Sequence, residues 1–213
     1  MLINNNLIKQ VSNMNIILAS QSPRRSQILN QIRIVHKVVP SDIEENIDLE
    51  LKPEELVKKI ALLKAKSVAK KEKGLIIGAD TIVYKDEVLG KPIDLQDAKN
   101  MLRKLSGVSH TVYTGIAMII NVDNYKEVVD YEKTIIKMRK ISDSEINKYL
   151  EMGEYKDAAG SYKIQGLASL FIERIEGCYF NVMGFPIFKF YKLLKDLNID
   201  IWNLIGENDK NEY

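Results

Sequence analysis

Residues 18–25 read Leu-Ala-Ser-Gln-Ser-Pro-Arg-Arg, two hydroxyls followed at once by two guanidinium groups. Such a set is suited to anionic oxygen: Ser20 and Ser22 offer hydroxyls, while Arg24 and Arg25 add full charges with forked donors that match phosphate. Further along, Asp80 closes the apolar run Leu75-Ile76-Ile77 after Gly78 and Ala79, small residues that let a ligand approach closely. A carboxylate so placed is a candidate base or metal ligand. Lys91, between Gly90 and Pro92, occupies a narrow loop that can aim an ammonium at phosphate, and Gln165, before Gly166, offers an amide that both donates and accepts, as reading a base edge requires. Each has a plainer reading: solvated helix charges for the arginines, a turn cap for Asp80, an ordinary loop amide for Gln165. Glu45, in the acidic segment 42–48, and Lys64, on a helix, read from the residues alone as solvated side chains.

The elements that must position these groups follow from periodicity and punctuation. Residues 16–19 are an apolar strand, and Pro23 suits the first turn of a helix with Ser22 as its N-cap, so free N–H groups and the positive end of the helix dipole face an anion there. Ile28, Leu29 and Ile32 fall on one helical face, and a strand over 34–39 is stopped by Pro40. From Pro53 a long helix runs to about Lys73, with Leu56, Ile60 and Leu63 on its apolar side and Gly74 as its stop. Asp80 separates the strand 75–77 from a second β-type run at 82–84, and Lys85-Asp86-Glu87 reads as a hairpin turn. A helix capped near Asp94 buries Ala98, Met101, Leu102 and Leu105, and strands over 109–120 and 125–137 form an antiparallel pair. Ser142 and Glu145 have capping-box spacing ahead of another helix. A loop over 155–166, a strand over 168–175, a loop over 176–184 and a helix opened by Pro186 complete the pattern.

This predicts an α/β fold with a mixed, elongated sheet, flanking helices and two lobes about a central cleft. Residues 14–202 form a single domain, 1–13 an N-terminal extension with Met14 as an alternative start, and 203–213 a flexible tail. The chain of 213 residues carries 31 basic and 29 acidic side chains, a formal charge of +2, so any positive field is local. Near-neutral charge and the lack of aromatic stacking motifs argue against a nucleic-acid partner. The single cysteine, Cys178, allows no intramolecular disulfide, and the two histidines, His36 and His110, are too few for a histidine metal cage. A cytoplasmic, non-membrane protein is expected, since no apolar run approaches the ~20 residues that span a bilayer.

Leu-Ala-Ser-Gln-Ser-Pro-Arg-Arg (18–25), Gly-Ala-Asp-Thr (78–81), Gly-Lys-Pro (90–92), Ser-Gly-Val-Ser-His-Thr-Val-Tyr-Thr-Gly (106–115), Tyr-Lys-Ile-Gln-Gly (162–166) and Gly-Cys-Tyr-Phe-Asn-Val-Met-Gly-Phe-Pro (177–186) follow the order seen in the Maf family. The resemblance spans about residues 14–195. It implies a nucleoside triphosphate pyrophosphatase whose fold is related to inosine triphosphate pyrophosphatases, a divalent cation (Mg²⁺ or Mn²⁺) and often a homodimer. By the same resemblance Asp80 is the proton acceptor, Ser20, Arg25, Lys64 and Lys91 handle phosphate, and Glu45 is an acidic site residue that shares the metal with Asp80. Arg24, Thr81 and Gln165 match the positions that sort the family by base, in the pattern of its dTTP/UTP branch. Ala158 departs from the Lys that relatives often carry. The expected reaction is hydrolysis of dTTP and UTP, with modified pyrimidine triphosphates as further candidates, to the monophosphate and pyrophosphate. The competing class is a nucleotide-sensing or nucleic-acid-binding regulator of cell division or septum formation that binds in the same cleft without turnover.

Overall fold

The structure, a computed structural model, describes residues 14–43, 51–122 and 125–206. Its strands are β1 (Ile16–Ala19), β2 (Lys37–Val38), β3 (Leu75–Lys85), β4 (Glu87–Leu89), β5 (Ser109–Ile120), β6 (Lys126–Met138) and β7 (Ile172–Glu176). They form one sheet in the order β2-β1-β3-β5-β6-β7, with β4 paired to β3. β2, β1 and β3 run parallel and the other pairings are antiparallel, so the sheet is mixed, as expected. All four residues of β1 are buried, which is why that strand reads as a continuous apolar run rather than an alternation.

The helices are α1 (Pro23–Gln31), α2 (Pro53–Ala69), α3 (Leu95–Leu105), α4 (Asp143–Glu151), α5 (Tyr179–Val182) and α6 (Ile187–Asp196). One apolar core joins α1 and α6 to the first half of β3 and the second half of β5, through Leu18, Ile28, Ile77, Ile116 and Phe190. Another lies at the opposite ends of those strands, where Val83, Leu102, Val112, Ile136 and Ile146 pack with α3 and α4. α2 covers the other face. Asn121 fastens that helix's C-terminal turn: its amide donates to the carbonyls of Ala69 and Glu72 (both 2.7 Å) and its Oδ1 accepts from Gly74 N–H (3.0 Å).

Asp94 caps α3, and Ser142 and Glu145 form the capping box of α4. Other expectations are corrected. Ser22 stands at the N-cap of α1 with extended backbone, but its side chain caps nothing; Ser20 Oγ accepts the Ser22 N–H instead (3.1 Å). The strand predicted over 34–39 contracts to β2 and a bridge from Ile34 to Ile205. Asp80 does not end a strand: β3 runs unbroken through it. Leu63 is exposed, and the buried stripe of α2 is Leu56, Val57, Ile60, Ala61, Lys64, Ala65 and Val68. Residues 167–171 form a 3-10 helix, because Ala168 and Phe171 bury at a spacing of three, so β7 begins only at Ile172. The loose tail expected from 203 is tied down as far as Gly206, where Leu204 is buried and Gly206 N–H donates to Arg33 O (3.0 Å).

Candidate active site

A gap in the pairing of β3 locates the site. β1 pairs with β3 only as far as Gly78, and β4 pairs with it from Val83 onward. Between them, on that edge, no described strand covers residues 79–82, while on the other edge Asp80 pairs with Gly115 and Thr81 with Thr114 of β5. β1 and β4 run in opposite directions, both toward this gap. Ser20 therefore leaves β1 at one margin, and Gly90 and Lys91 leave β4 at the other. The gap also falls between the two apolar cores.

Side chains alternate along a strand, so Asp80 shares a face with Gly78 and with its cross-strand partner Gly115. α2 crosses that face. A Cβ at Gly78 would lie 2.2 Å from the carbonyl oxygen of Ala61, and one at Gly115 would lie 2.2 Å from that of Val57. The two glycines let the helix backbone settle directly on the sheet. Lys64, on the buried stripe of α2, then meets Asp80, with Nζ 2.7 Å from Oδ1. Burying such a pair carries a desolvation cost, so it holds a carboxylate and an ammonium in fixed positions rather than serving as cheap stabilisation.

Thr81 points to the opposite face, where the buried Arg25 reaches it from α1. The guanidinium donates from Nη1 to Ser20 Oγ (2.9 Å), from Nη2 to Thr81 Oγ1 (3.1 Å) and from Nε to Gly184 O (2.8 Å). Gly184 has φ +101, and a Cβ there would come within 3.1 Å of Thr81 Oγ1, so the carbonyl's approach depends on glycine. Ser20, Arg25 and Thr81 are thus one hydrogen-bonded unit, and Lys64 and Asp80 another, on the two faces of the same short stretch of β3.

Arg24 is half-buried and donates to the backbone oxygen of Asp157 (3.0 Å); burial lowers the pKa of its guanidinium, and the Asp157 charge opposes that shift. Lys91 is exposed, 3.8 Å from the Asp157 carboxylate, and its loop is held by Gly160 N–H donating to Gly90 O (3.0 Å). Asp157 therefore links two predicted cations, a role that its sequence context gave no sign of. Gln165 is exposed on a separate turn, which Glu154 pins by accepting the Leu167 N–H (2.8 Å), and no hydrogen bond among the described residues joins it to the other site residues. Glu45 lies outside the described residues.

Sequence reasoning also missed Thr114 and Asn181, both buried polar residues inside motifs that were recognised but given no role. Their partners are far away in sequence, so no local spacing marks them. As for a metal, the described residues contain no group of three or more His, Cys, Asp or Glu able to hold one. Asp80 does offer a carboxylate at the gap, and Mg²⁺ commonly binds through one or two carboxylates plus substrate phosphates, so this donor set fits a cation that arrives with its nucleotide.

Two other features lie apart from this chemistry. A cavity of about 640 Å³ at the start of β1 is lined by Asn15, His36, Lys37, Glu72 and Ile205, among others. Its charged and imidazole groups are paired: His36 bonds Ser26 Oγ and Ile34 O, and Lys37 pairs with Glu72. His110 is buried against Tyr162, with Nε2 2.8 Å from the phenolic oxygen. Burial pushes its pKa down to about 4 and raises that of Tyr162.

The family model described as Maf-like protein matches residues 15–197. A dTTP/UTP pyrophosphatase from Alkaliphilus oremlandii is 48% identical over 188 residues, covering 86% of this chain and 97% of the relative. One from Ruminiclostridium cellulolyticum is 46% identical over 187 residues, covering 86% and 96%. Among solved structures, a HAM1 protein from Coxiella burnetii overlaps 59% of this chain and 73% of its own at 17% identity and a TM-score of 0.43, too slight a likeness to argue from. No described helix is long and apolar enough to cross a membrane.

Proposed function

The chain belongs to the Maf family, and from that premise we propose that it is a nucleoside triphosphate pyrophosphatase that hydrolyses dTTP and UTP to the monophosphate and pyrophosphate. The relatives of nearly half-identical sequence bear that activity in their names, and the alignment spans almost their whole length. The observation that carries the reading is the paired arrangement at the gap in β3: the Lys64–Asp80 ion pair on one face and Arg25, fixed to Ser20 and Thr81, on the other.

In this mechanism the triphosphate lies along the gap. Arg25 and Lys64 offset its negative charge, with Lys91 approaching from the β4 margin, and preorganised cations of this kind supply the electrostatic stabilisation that dominates phosphoryl transfer. A water oxygen bonds to phosphorus, the α–β bridging P–O bond breaks, and pyrophosphate leaves with the electron pair. Asp80, held in place by Lys64, takes the water's proton. A divalent cation, Mg²⁺ or Mn²⁺, held by Asp80 and substrate oxygens, would add Lewis-acid polarisation of the phosphates. Gln165 is the residue available to read the pyrimidine edge, and a homodimer in the cytoplasm is the setting that family membership suggests.

The test is direct. Purified protein incubated with dTTP, UTP, GTP or ATP plus Mg²⁺ is expected to release pyrophosphate from the pyrimidines. Equal rates on GTP would overturn the base assignment, and tight retention of nucleotide without release would overturn hydrolysis.

A further inference from the structure

Arg25 is one end of a hydrogen-bond chain that runs into residues 177–184, the connection between β7 and α6 that the sequence predicted as plain loop and that contains the short helix α5, and the direction of every bond in it follows from its partners. Arg25 Nη2 donates to Thr81 Oγ1 (3.1 Å), Thr81 Oγ1 lies 3.0 Å from Thr114 Oγ1, and Thr114 Oγ1 donates to the backbone oxygen of Asn181 (2.9 Å). A guanidinium can only donate and a carbonyl can only accept, while each threonine has one hydroxyl proton. Thr114 spends its proton on Asn181, so Thr81 must donate to Thr114 and accept from Arg25. Neither hydroxyl has a proton left for a ligand.

Asn181 in turn is fully buried, and its Nδ2 donates to Val112 O (3.0 Å) and Thr134 Oγ1 (2.9 Å). Thr134 Oγ1 also accepts the Cys178 N–H (3.0 Å), which anchors the beginning of the same loop. The end of that loop supplies Gly184 O, the acceptor for Arg25 Nε (2.8 Å). Arg25 is therefore held twice by one loop, directly at Gly184 and through two threonines at Asn181.

We propose that Thr114 and Asn181 are positioning residues that aim the Arg25 guanidinium into the gap, and that Thr81 serves this chain rather than donating to the nucleobase. The proposal deepens the pyrophosphatase reading and rests on it. With its one proton given to Thr114, Thr81 has none for the oxo groups of a pyrimidine, and its hydroxyl serves to hold Arg25.

The experiment compares Thr114→Val, which keeps the shape and removes the hydroxyl, with Thr114→Ser, which keeps the hydroxyl. Thr114→Val is expected to lower kcat/KM on UTP roughly ten- to a hundredfold, the scale of a misplaced catalytic group. Thr114→Ser returns most of that loss, and in an Arg25→Lys background Thr114→Val costs little more, because both act on one interaction. Thr114→Val with unchanged kcat/KM, or with the same loss whether or not Arg25 is present, overturns the proposal, and Asn181→Ala matching wild type overturns its part.

Thr81→Val provides a second reading should Thr114→Val fail to fold. It is expected to slow UTP and GTP hydrolysis by the same factor, whereas loss of the UTP-over-GTP preference with turnover kept overturns the assignment. Release of pyrophosphate by the wild-type enzyme tests the pyrophosphatase reading separately. Should wild type release none, binding of a nonhydrolysable UTP analogue decides the inference: weaker in Thr114→Val supports it, equal overturns it.

Discussion

Nζ of Lys64 lies 2.7 Å from Oδ1 of Asp80, and the two side chains are only 8% and 9% exposed. Helix and strand are thus joined at the point where the reaction needs a base. An amide of the same shape cannot accept the proton of an attacking water, and general-base assistance is worth roughly 10² to 10⁴ in rate. Asp80→Asn is expected to lose turnover on that scale while still binding a nonhydrolysable UTP analogue. Pyrophosphate release and calorimetric titration measure the two, and near-wild-type turnover would remove Asp80 from the mechanism. In denaturant titrations, Asp80→Asn and Lys64→Met should be non-additive by about 0.5–3 kcal/mol, as groups in contact are.

The approach of α2 to the sheet depends on glycine. At Gly115, the cross-strand partner of Asp80, a methyl group would sit 2.2 Å from the Val57 carbonyl oxygen, so Gly115→Ala must push the helix away. Overpacking of that kind costs about 1–3 kcal/mol. Since Lys64 rides on the displaced helix, activity is expected to fall more than stability does. Thermal melts and pyrophosphate release on the same preparation give the comparison, and a variant with a lowered Tm but intact kcat/KM would separate the helix position from catalysis.

The parts of the site visible in the sequence are those built from neighbours in the chain. β1, Pro23 in the first turn of α1, the Asp94 cap and the Ser142–Glu145 box are all short-range patterns, and each stands where it was predicted. Asp80 was singled out for the right surroundings but placed wrongly: Gly78 and Ala79 break the apolar run because a helix backbone rests on Gly78, not because the strand ends there. Lys64 looked solvated because a lysine on a helix usually is, and only the fold shows that it lies on the same stripe as Ala61 and Ala65. Thr114, Asn181 and Asp157 act through partners distant in sequence, and no local pattern encodes such contacts.

His110 should make the protein acid-sensitive. Its folded pKa of about 4 lies below the ordinary histidine value because burial disfavours the imidazolium, and its Nδ1 finds no hydrogen-bond partner among the described residues. Between about pH 6.5 and 4 the unfolded chain binds the proton more readily than the folded one. Stability therefore falls as pH drops through that window and levels off below it, by roughly 3 kcal/mol from this group. Replacing His110 with Gln is expected to flatten that part of the curve relative to wild type in urea titrations from pH 7 to 4. Parallel curves for the two proteins would remove His110 as the source.

Lys91 offers the opposite case, a charge that the fold does not need. It is 64% exposed, and its acidic partner among the described residues, Asp157, is 3.8 Å away and 83% exposed. Surface pairs of this kind contribute about 0–1 kcal/mol, so Lys91→Ala should leave Tm essentially unchanged. A hydrogen bond from its ammonium to a charged phosphate is worth about 1.5–3 kcal/mol, which corresponds to roughly a ten- to 150-fold loss in kcat/KM. A melt and a UTP titration on Lys91→Ala distinguish the roles: unchanged stability with impaired kinetics places the ammonium on the triphosphate, and unchanged kinetics would leave Gly90-Lys91-Pro92 as an ordinary surface turn.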